Sequence, residues 1–211
     1  MTFEELKALD HQYTMQTYGR FDVALDHGKG ATLYGLEGEV YTDFASGIGV
    51  ASLGYGHPAW VKAVSEQAQK LQHASNLFYT EPYAKVAEKL CKRTGMAAVF
   101  FANGGGEANE GIIKLARKYS FDKYGMGRST TITLHNSFHG RTITTLQATG
   151  QDVFHQYFFP FTEGFRYADA NDLDSVKAQA DDTTCAVMLE LIQGEGGVLP
   201  LDKDFIQALA A

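Results

Sequence analysis

The 211-residue chain has 45% hydrophobic, 12% aromatic and 20% charged residues, an ordinary globular balance that excludes disordered, collagen-like and coiled-coil classes. Its length gives one or two domains and enough material for one sizeable core. Eighteen Lys and Arg against 25 Asp and Glu leave a net charge of −7, and no basic run is dense enough to follow a phosphate backbone, which argues against a nucleic-acid partner.

Residues 1–10 alternate acidic and apolar side chains and lack the basic start and unbroken apolar stretch of a signal peptide. The most apolar run, residues 97–102, falls far short of the ~20 residues that cross a bilayer, so no membrane partner is expected. Cys91 and Cys185 have no partner at metal-ligand spacing and read as buried thiols in a reducing cytoplasm. His57, just before Pro58, reads as a residue beside a helix start, and the histidines form no ligand-spaced cluster; no metal site is indicated.

In chain order, residues 32–34 and 40–44 flank Gly35-Leu36-Glu37-Gly38 and predict a hairpin. Pro58 opens a helix with Trp60, Val64, Ala68 and Leu71 on one face. Pro82 opens another with Tyr83, Val86, Ala87 and Leu90 at i, i+3, i+4 and i+7, and Gly95 stops it. Residues 97–101 predict a strand buried on both faces. Beyond the glycines at 104–106, Ala108, Ile112, Leu115, Ala116 and Tyr119 mark the inner face of a long helix. Residues 130–134 predict a strand, 172–180 a helix, 185–192 a strand, and 203–211 a helix that Asp202 could cap, with Phe205 and Leu209 starting its face. This alternation predicts an α/β fold with a mainly parallel sheet flanked by helices. The organisation expected is an N-terminal segment with the hairpin, 1–54, and the first part of a large α/β domain, 55–211. The chain stops inside a helix, which reads as a truncated domain or as a frayed C-terminus.

Three turns carry candidate chemistry. Asn103-Gly104-Gly105-Gly106-Glu107 joins the predicted strand to the long helix, where glycine lets backbone approach a ligand and free N–H groups point outward. It is a candidate phosphate cradle or a ligand-free tight turn. It matches neither the P-loop, lacking Lys-Ser/Thr, nor the dinucleotide fingerprint, since Asn109 takes the last glycine position. Asn136-Ser137-Phe138-His139-Gly140-Arg141-Thr142 follows the 130–134 strand, on the same sheet edge as the glycine turn if both strands are parallel. Phe138 could stack on a planar ring and Arg141 could grip a carboxylate, or the pair is a core Phe beside a solvated Arg. Glu190-Leu191-Ile192-Gln193-Gly194-Glu195-Gly196-Gly197 ends the third strand; Glu190, following four apolar residues, needs a partner, whereas Glu195 could be an exposed loop carboxylate.

These segments together resemble the N-terminal half of a class III pyridoxal-phosphate aminotransferase, most of all its acetylornithine subgroup. The family's Asn-Ser-Gly-Ala/Thr-Glu-Ala-Asn-Glu is similar to residues 103–110, Ser-Phe-His-Gly-Arg-Thr is matched in full at 137–142, and Glu-Pro-x-Gln-Gly-Glu-Gly-Gly at 190–197 except for Leu191. Residues 43–50 and 75–79 also resemble the subgroup. The resemblance implies an aspartate-aminotransferase-like fold (PLP-transferase fold type I), a cytoplasmic homodimer in arginine biosynthesis, and pyridoxal 5′-phosphate as cofactor. It implies that Gly105 and Gly106 bind the phosphate, Phe138 stacks on the ring, Glu190 lies near the cofactor, Arg141 holds the α-carboxylate of N-acetylornithine or glutamate, and Glu195 adjusts the pocket between the amino donors. The acceptor implied is 2-oxoglutarate. Other ω-aminotransferases, acting on ornithine, succinylornithine or 4-aminobutyrate, and a non-catalytic binding remnant are the alternatives. Gly104 stands where the family has Ser. The family's Schiff-base lysine and the acid facing the pyridinium nitrogen lie downstream of the glutamate motif, where this chain has only Lys203, outside any matching segment. No catalytic residue is therefore assigned, and this chain alone is expected to be inactive.

Overall fold

Thr2 and Glu5 form a reciprocal capping box at the start of α1 (Phe3–Tyr13) in the computed structural model, which describes residues 1–211. The Thr-x-x-Glu spacing carries that signal in the sequence. An antiparallel sheet follows, made of β1 (Leu25–Lys29), β2 (Thr32–Gly35) and β3 (Val40–Thr42) in that order. The expected hairpin is β2–β3, with Thr32 opposite Thr42 and Tyr34 opposite Val40. The single turn α2 (Ser46–Gly49) is left-handed: φ is +49° at Ser46 and +61° at Ile48, a conformation that β-branched residues rarely adopt. Helices α3 (Pro58–Lys70) and α4 (Glu81–Thr94) stand where their prolines predict them. Neither buries a residue, so the stripes led by Trp60 and Tyr83 face outward.

The chain divides into two compact units, Met1–Ala84 and Lys85–Ala211. In the second, the elements after α4 are α5 (Gly105–Tyr124), β4 (Thr130–Leu134), α6 (Ile143–Ala148), β5 (Phe165–Ala168), α7 (Leu173–Gln179), β6 (Thr184–Val187), β7 (Ile192–Gln193), β8 (Leu199–Pro200) and α8 (Lys203–Ala210). The main sheet is parallel in the order β5-β4-β6. All five residues of the central strand are buried, because both its edges are paired and both its faces covered. Ile132 and Leu134 pack with Ala168, Val176, Leu201 and Phe205, closing one face of the sheet with α7 and α8. The α/β class and the parallel sheet flanked by helices are those expected.

Four local expectations are corrected. Residues 97–101 form no strand: the sheet ends at β5 and β6. On α5 the buried residues are Ile113 and Ser120, whereas Ile112, Leu115 and Tyr119 are exposed. The Phe100 ring lies 2.9 Å from where a Cβ on Gly111 would stand, so this side of the helix faces the preceding segment instead of a core. The strand expected over 185–192 ends at Val187, and Ile192–Gln193 pairs antiparallel with Leu199–Pro200 in a separate ribbon. Both cysteine thiols are half-buried and free, not buried.

Candidate active site

The first turn of α5 and the turn after β4 touch at one point that only glycine permits. A Cβ on Gly140, whose φ is +128°, would lie 2.9 Å from the Cα of Gly106 and 2.7 Å from Thr145 Oγ1. Asn109 Nδ2 donates to the carbonyl of His139 at 2.7 Å, and the Thr142 hydroxyl donates to Glu110 at 2.6 Å, so both sides of the contact are pinned. Gly105 and Gly106 are the first two residues of α5, and the N-cap, Gly104, offers no side-chain hydrogen bond. The leading N–H groups of a helix have no intrahelical acceptor. Nothing stands within 4 Å of a Cβ built on Gly104 or Gly105, so the space before the helix is open. Glu107 turns back instead to accept from the backbone N–H of Asn103 at 2.8 Å.

Phe138 is half-buried, with the edge of Phe154 against it at 5.9 Å between centroids. The guanidinium of Arg141 lies 5.8 Å from the Phe138 ring centroid, a cation–π distance, and its side chain is exposed. Glu190 has the partner its position requires: its carboxylate accepts from the N–H of Phe138 at 2.9 Å and from that of Gly194 at 3.4 Å. Glu195 is exposed and accepts from Gln151 Nε2 at 2.6 Å. All six residues singled out in the sequence thus lie in the second unit, at the N-terminus of α5, on the turn after β4, on the segment after β6 and, for Glu195, on the turn between β7 and β8.

Polar side chains to which the sequence reading gave no role hold these turns together. Gln193, 2% exposed, donates to the carbonyl of His135 at 2.8 Å. Asn136, with φ +62°, donates to the carbonyl of Gly196 at 2.9 Å, and a Cβ on Gly196 would strike that side chain at 2.4 Å. Gln151 donates to the Ser137 carbonyl at 3.1 Å as well as to Glu195. His139 is buried, and its Nε2 has no hydrogen-bond partner. Burial pushes its imidazole below the usual range, with the nearby Glu190 charge pulling the other way, so the ring is held neutral at pH 7. Lys203 opens α8 as an exposed residue.

A helix N-terminus with open space before it, an aromatic ring and a guanidinium on one edge of a parallel sheet form an arrangement that can take an anionic group, a planar ring and a carboxylate side by side. The family model "Aminotransferase class-III" matches residues 13–211. The chain belongs to the class III aminotransferases. This family is pyridoxal-phosphate-dependent. The acetylornithine aminotransferase of Haemophilus ducreyi is 57% identical over 210 residues, 99% of this chain and 53% of that protein. That of Wolinella succinogenes is 52% identical over 96% of this chain and 52% of its own length. The crystal structure of the ornithine aminotransferase from Toxoplasma gondii superposes with a TM-score of 0.91 at 30% identity, covering 98% of this chain and 50% of that one. The chain therefore spans about half the length of the curated relatives it matches.

Proposed function

We propose that this chain carries the part of an N-acetylornithine:2-oxoglutarate aminotransferase that grips the cofactor phosphate, its ring and a substrate carboxylate. The observation that carries the reading is the Gly140–Gly106 contact, which seats the ring-bearing turn directly against the helix N-terminus. Pyridoxal phosphate, when bound, supplies the electron sink that lets an amino group pass from donor to acceptor. The N–H groups of Gly105 and Gly106 hold its phosphate with the α5 dipole aligned, as the open space before them allows. Phe138 packs on the pyridine ring. Arg141 takes the substrate carboxylate with its planar fork and so fixes which bond at the reacting carbon is aligned. Glu190 keeps Phe138 in place by holding its amide, and Glu195 adjusts the pocket between the donors.

The 57% identity to an acetylornithine aminotransferase favours N-acetylornithine as donor; 2-oxoglutarate as acceptor and a homodimer are what the motif resemblance implies. The likeness to an ornithine aminotransferase favours free ornithine as the second reading. Initial rates of the intact gene product that carries these residues, with pyridoxal phosphate and a panel of N-acetylornithine, succinylornithine, ornithine and 4-aminobutyrate, decide between them. A preference for N-acetylornithine, with KM raised for the carboxylate-bearing donors alike in Arg141→Gln, is the expected result. No transamination of any donor would refute the reading.

A further inference from the structure

We infer that Glu110 is a positioning residue that fixes how far Arg141 stands from the phosphate cradle, by tying the chain just after Arg141 to α5. The inference rests on the reading above, in which Arg141 grips a substrate carboxylate and the α5 N-terminus holds a phosphate. Glu110 has no part in either grip. It is the sixth residue of α5, about 7.5 Å along the helix axis from Gly105. Its carboxylate accepts from the Thr142 hydroxyl at 2.6 Å, and Thr142 is both the residue after Arg141 and the N-cap of α6.

The protons at this junction can be followed one by one. A threonine hydroxyl has one proton to give and two lone pairs to offer. The Thr142 proton goes to Glu110, so its oxygen is left to accept, from the Thr145 N–H at 3.1 Å and from the Thr145 hydroxyl at 2.7 Å. Thr145 Oγ1 accepts in turn from the Thr142 N–H at 3.1 Å. Thr145 is fully buried, so the chain of hydroxyls runs outward from the interior and ends on Glu110. Without that carboxylate the Thr142 proton can turn back to Thr145, the pair closes on itself, and the start of α6 loses its tie to α5.

The residues ahead of Arg141 have anchors of their own. Glu190 holds the Phe138 N–H, Asn109 holds the His139 carbonyl, and Gly140 seats on Gly106. Loss of Glu110 therefore loosens the Arg141 end of the turn while the ring and phosphate contacts keep their supports. Because α5 carries both Glu110 and the leading N–H groups of Gly105 and Gly106, one rigid helix spaces the carboxylate grip from the phosphate grip.

Pentanoate, a carboxylate with no amino group to transfer, reads the Arg141 grip by titration calorimetry on the cofactor-loaded intact gene product, and pyridoxal-phosphate titration of the apo form reads the cradle. Glu110→Ala is expected to weaken pentanoate about fivefold, the partial release of one charged grip, and to leave pyridoxal phosphate within about twofold. Glu110→Gln keeps an oxygen that accepts the Thr142 proton and should stay within about twofold for both. Glu110→Asp keeps the charge but falls one methylene short, so it should behave as Ala does and stands in for Ala if that variant does not fold. A loss that follows the charge, with Gln like Ala and Asp like wild type, would overturn the inference. So would pentanoate affinity unchanged in Ala and Asp, or an equal loss of pyridoxal phosphate. Pentanoate that fails to bind wild type, or binds Arg141→Gln as tightly, would show instead that the underlying site reading is wrong, and the role of Glu110 falls with it.

Discussion

The carboxylate of Glu190, three residues beyond the end of β6, accepts the backbone N–H of Phe138 at 2.9 Å from the turn after β4. One bond thus ties the proposed ring-stacking residue to a different strand end. Glu190→Ala leaves that part-buried amide without an acceptor, which costs about 1–3 kcal/mol. Glu190→Gln keeps an acceptor oxygen and should cost less. Urea unfolding midpoints and pyridoxal-phosphate titrations check this together, with Ala weakening both stability and binding and Gln intermediate in each. Equal effects of Ala and Gln would remove the hydrogen bond from the explanation.

Gly140 meets two constraints at once, a φ of +128° and a 2.9 Å approach to Gly106 by any added Cβ. Gly140→Ala must strain the turn or push it off α5, at a cost of about 1–3 kcal/mol. Cofactor affinity is expected to fall at least about tenfold, since the phosphate and ring contacts lie on opposite sides of the displaced seam. Unchanged affinity would mean that the seam does not organise the site.

Gly104 is the opposite case. Its φ of −161° suits any residue, and nothing lies within 4 Å of a Cβ there. Gly104→Ser should therefore be accommodated, adding a side-chain cap to α5 worth a few tenths of a kcal/mol over glycine, about the difference between these residues at an N-cap. It should also tighten cofactor binding through a hydroxyl beside the phosphate. Differential scanning calorimetry and the same titration measure the two effects, and a destabilised variant would contradict the open space.

The buried His139 makes stability pH-dependent in one direction. Its folded-state pKa lies below the ordinary value, chiefly through burial. The unfolded chain therefore takes up a proton below about pH 6.5 that the fold resists, and the contribution is constant above that point and lost as pH falls through the window beneath it. Relative to wild type, His139→Gln should flatten the fall in urea midpoint between about pH 7.5 and 5.5, a window set by the ordinary histidine value. Parallel profiles would show that this ring does not carry the effect.

What the sequence discloses and what it hides follow a physical divide. The strand β4 is legible because residues 130–134 are β-branched or apolar throughout and fill a position buried on both faces. The start of α5 is legible because glycines and an apolar period meet there. Residues 97–101 mislead because an apolar run records a capacity for burial, not the presence of a neighbouring strand. The end of β6 at Val187 is set by tertiary pairing, since Met188 and Leu189 continue the apolar run. The six candidate residues are singled out because each type suits a ligand group, whereas Gln151 bonds to residues 14 and 44 positions away and leaves no local pattern.

The central claim, that the α5 N-terminus holds the cofactor phosphate through its backbone, is tested most directly by comparing pyridoxal phosphate with pyridoxal on wild type and Gly105→Pro. Proline suits the first helical position and the extended Gly104 before it, so it removes one N–H while leaving the helix intact by circular dichroism. The account predicts about tenfold weaker binding of pyridoxal phosphate in the variant, the loss of one charged hydrogen bond, with pyridoxal unaffected. Equal affinities for the two vitamers in wild type, or a variant that binds pyridoxal phosphate as tightly as wild type, would contradict it.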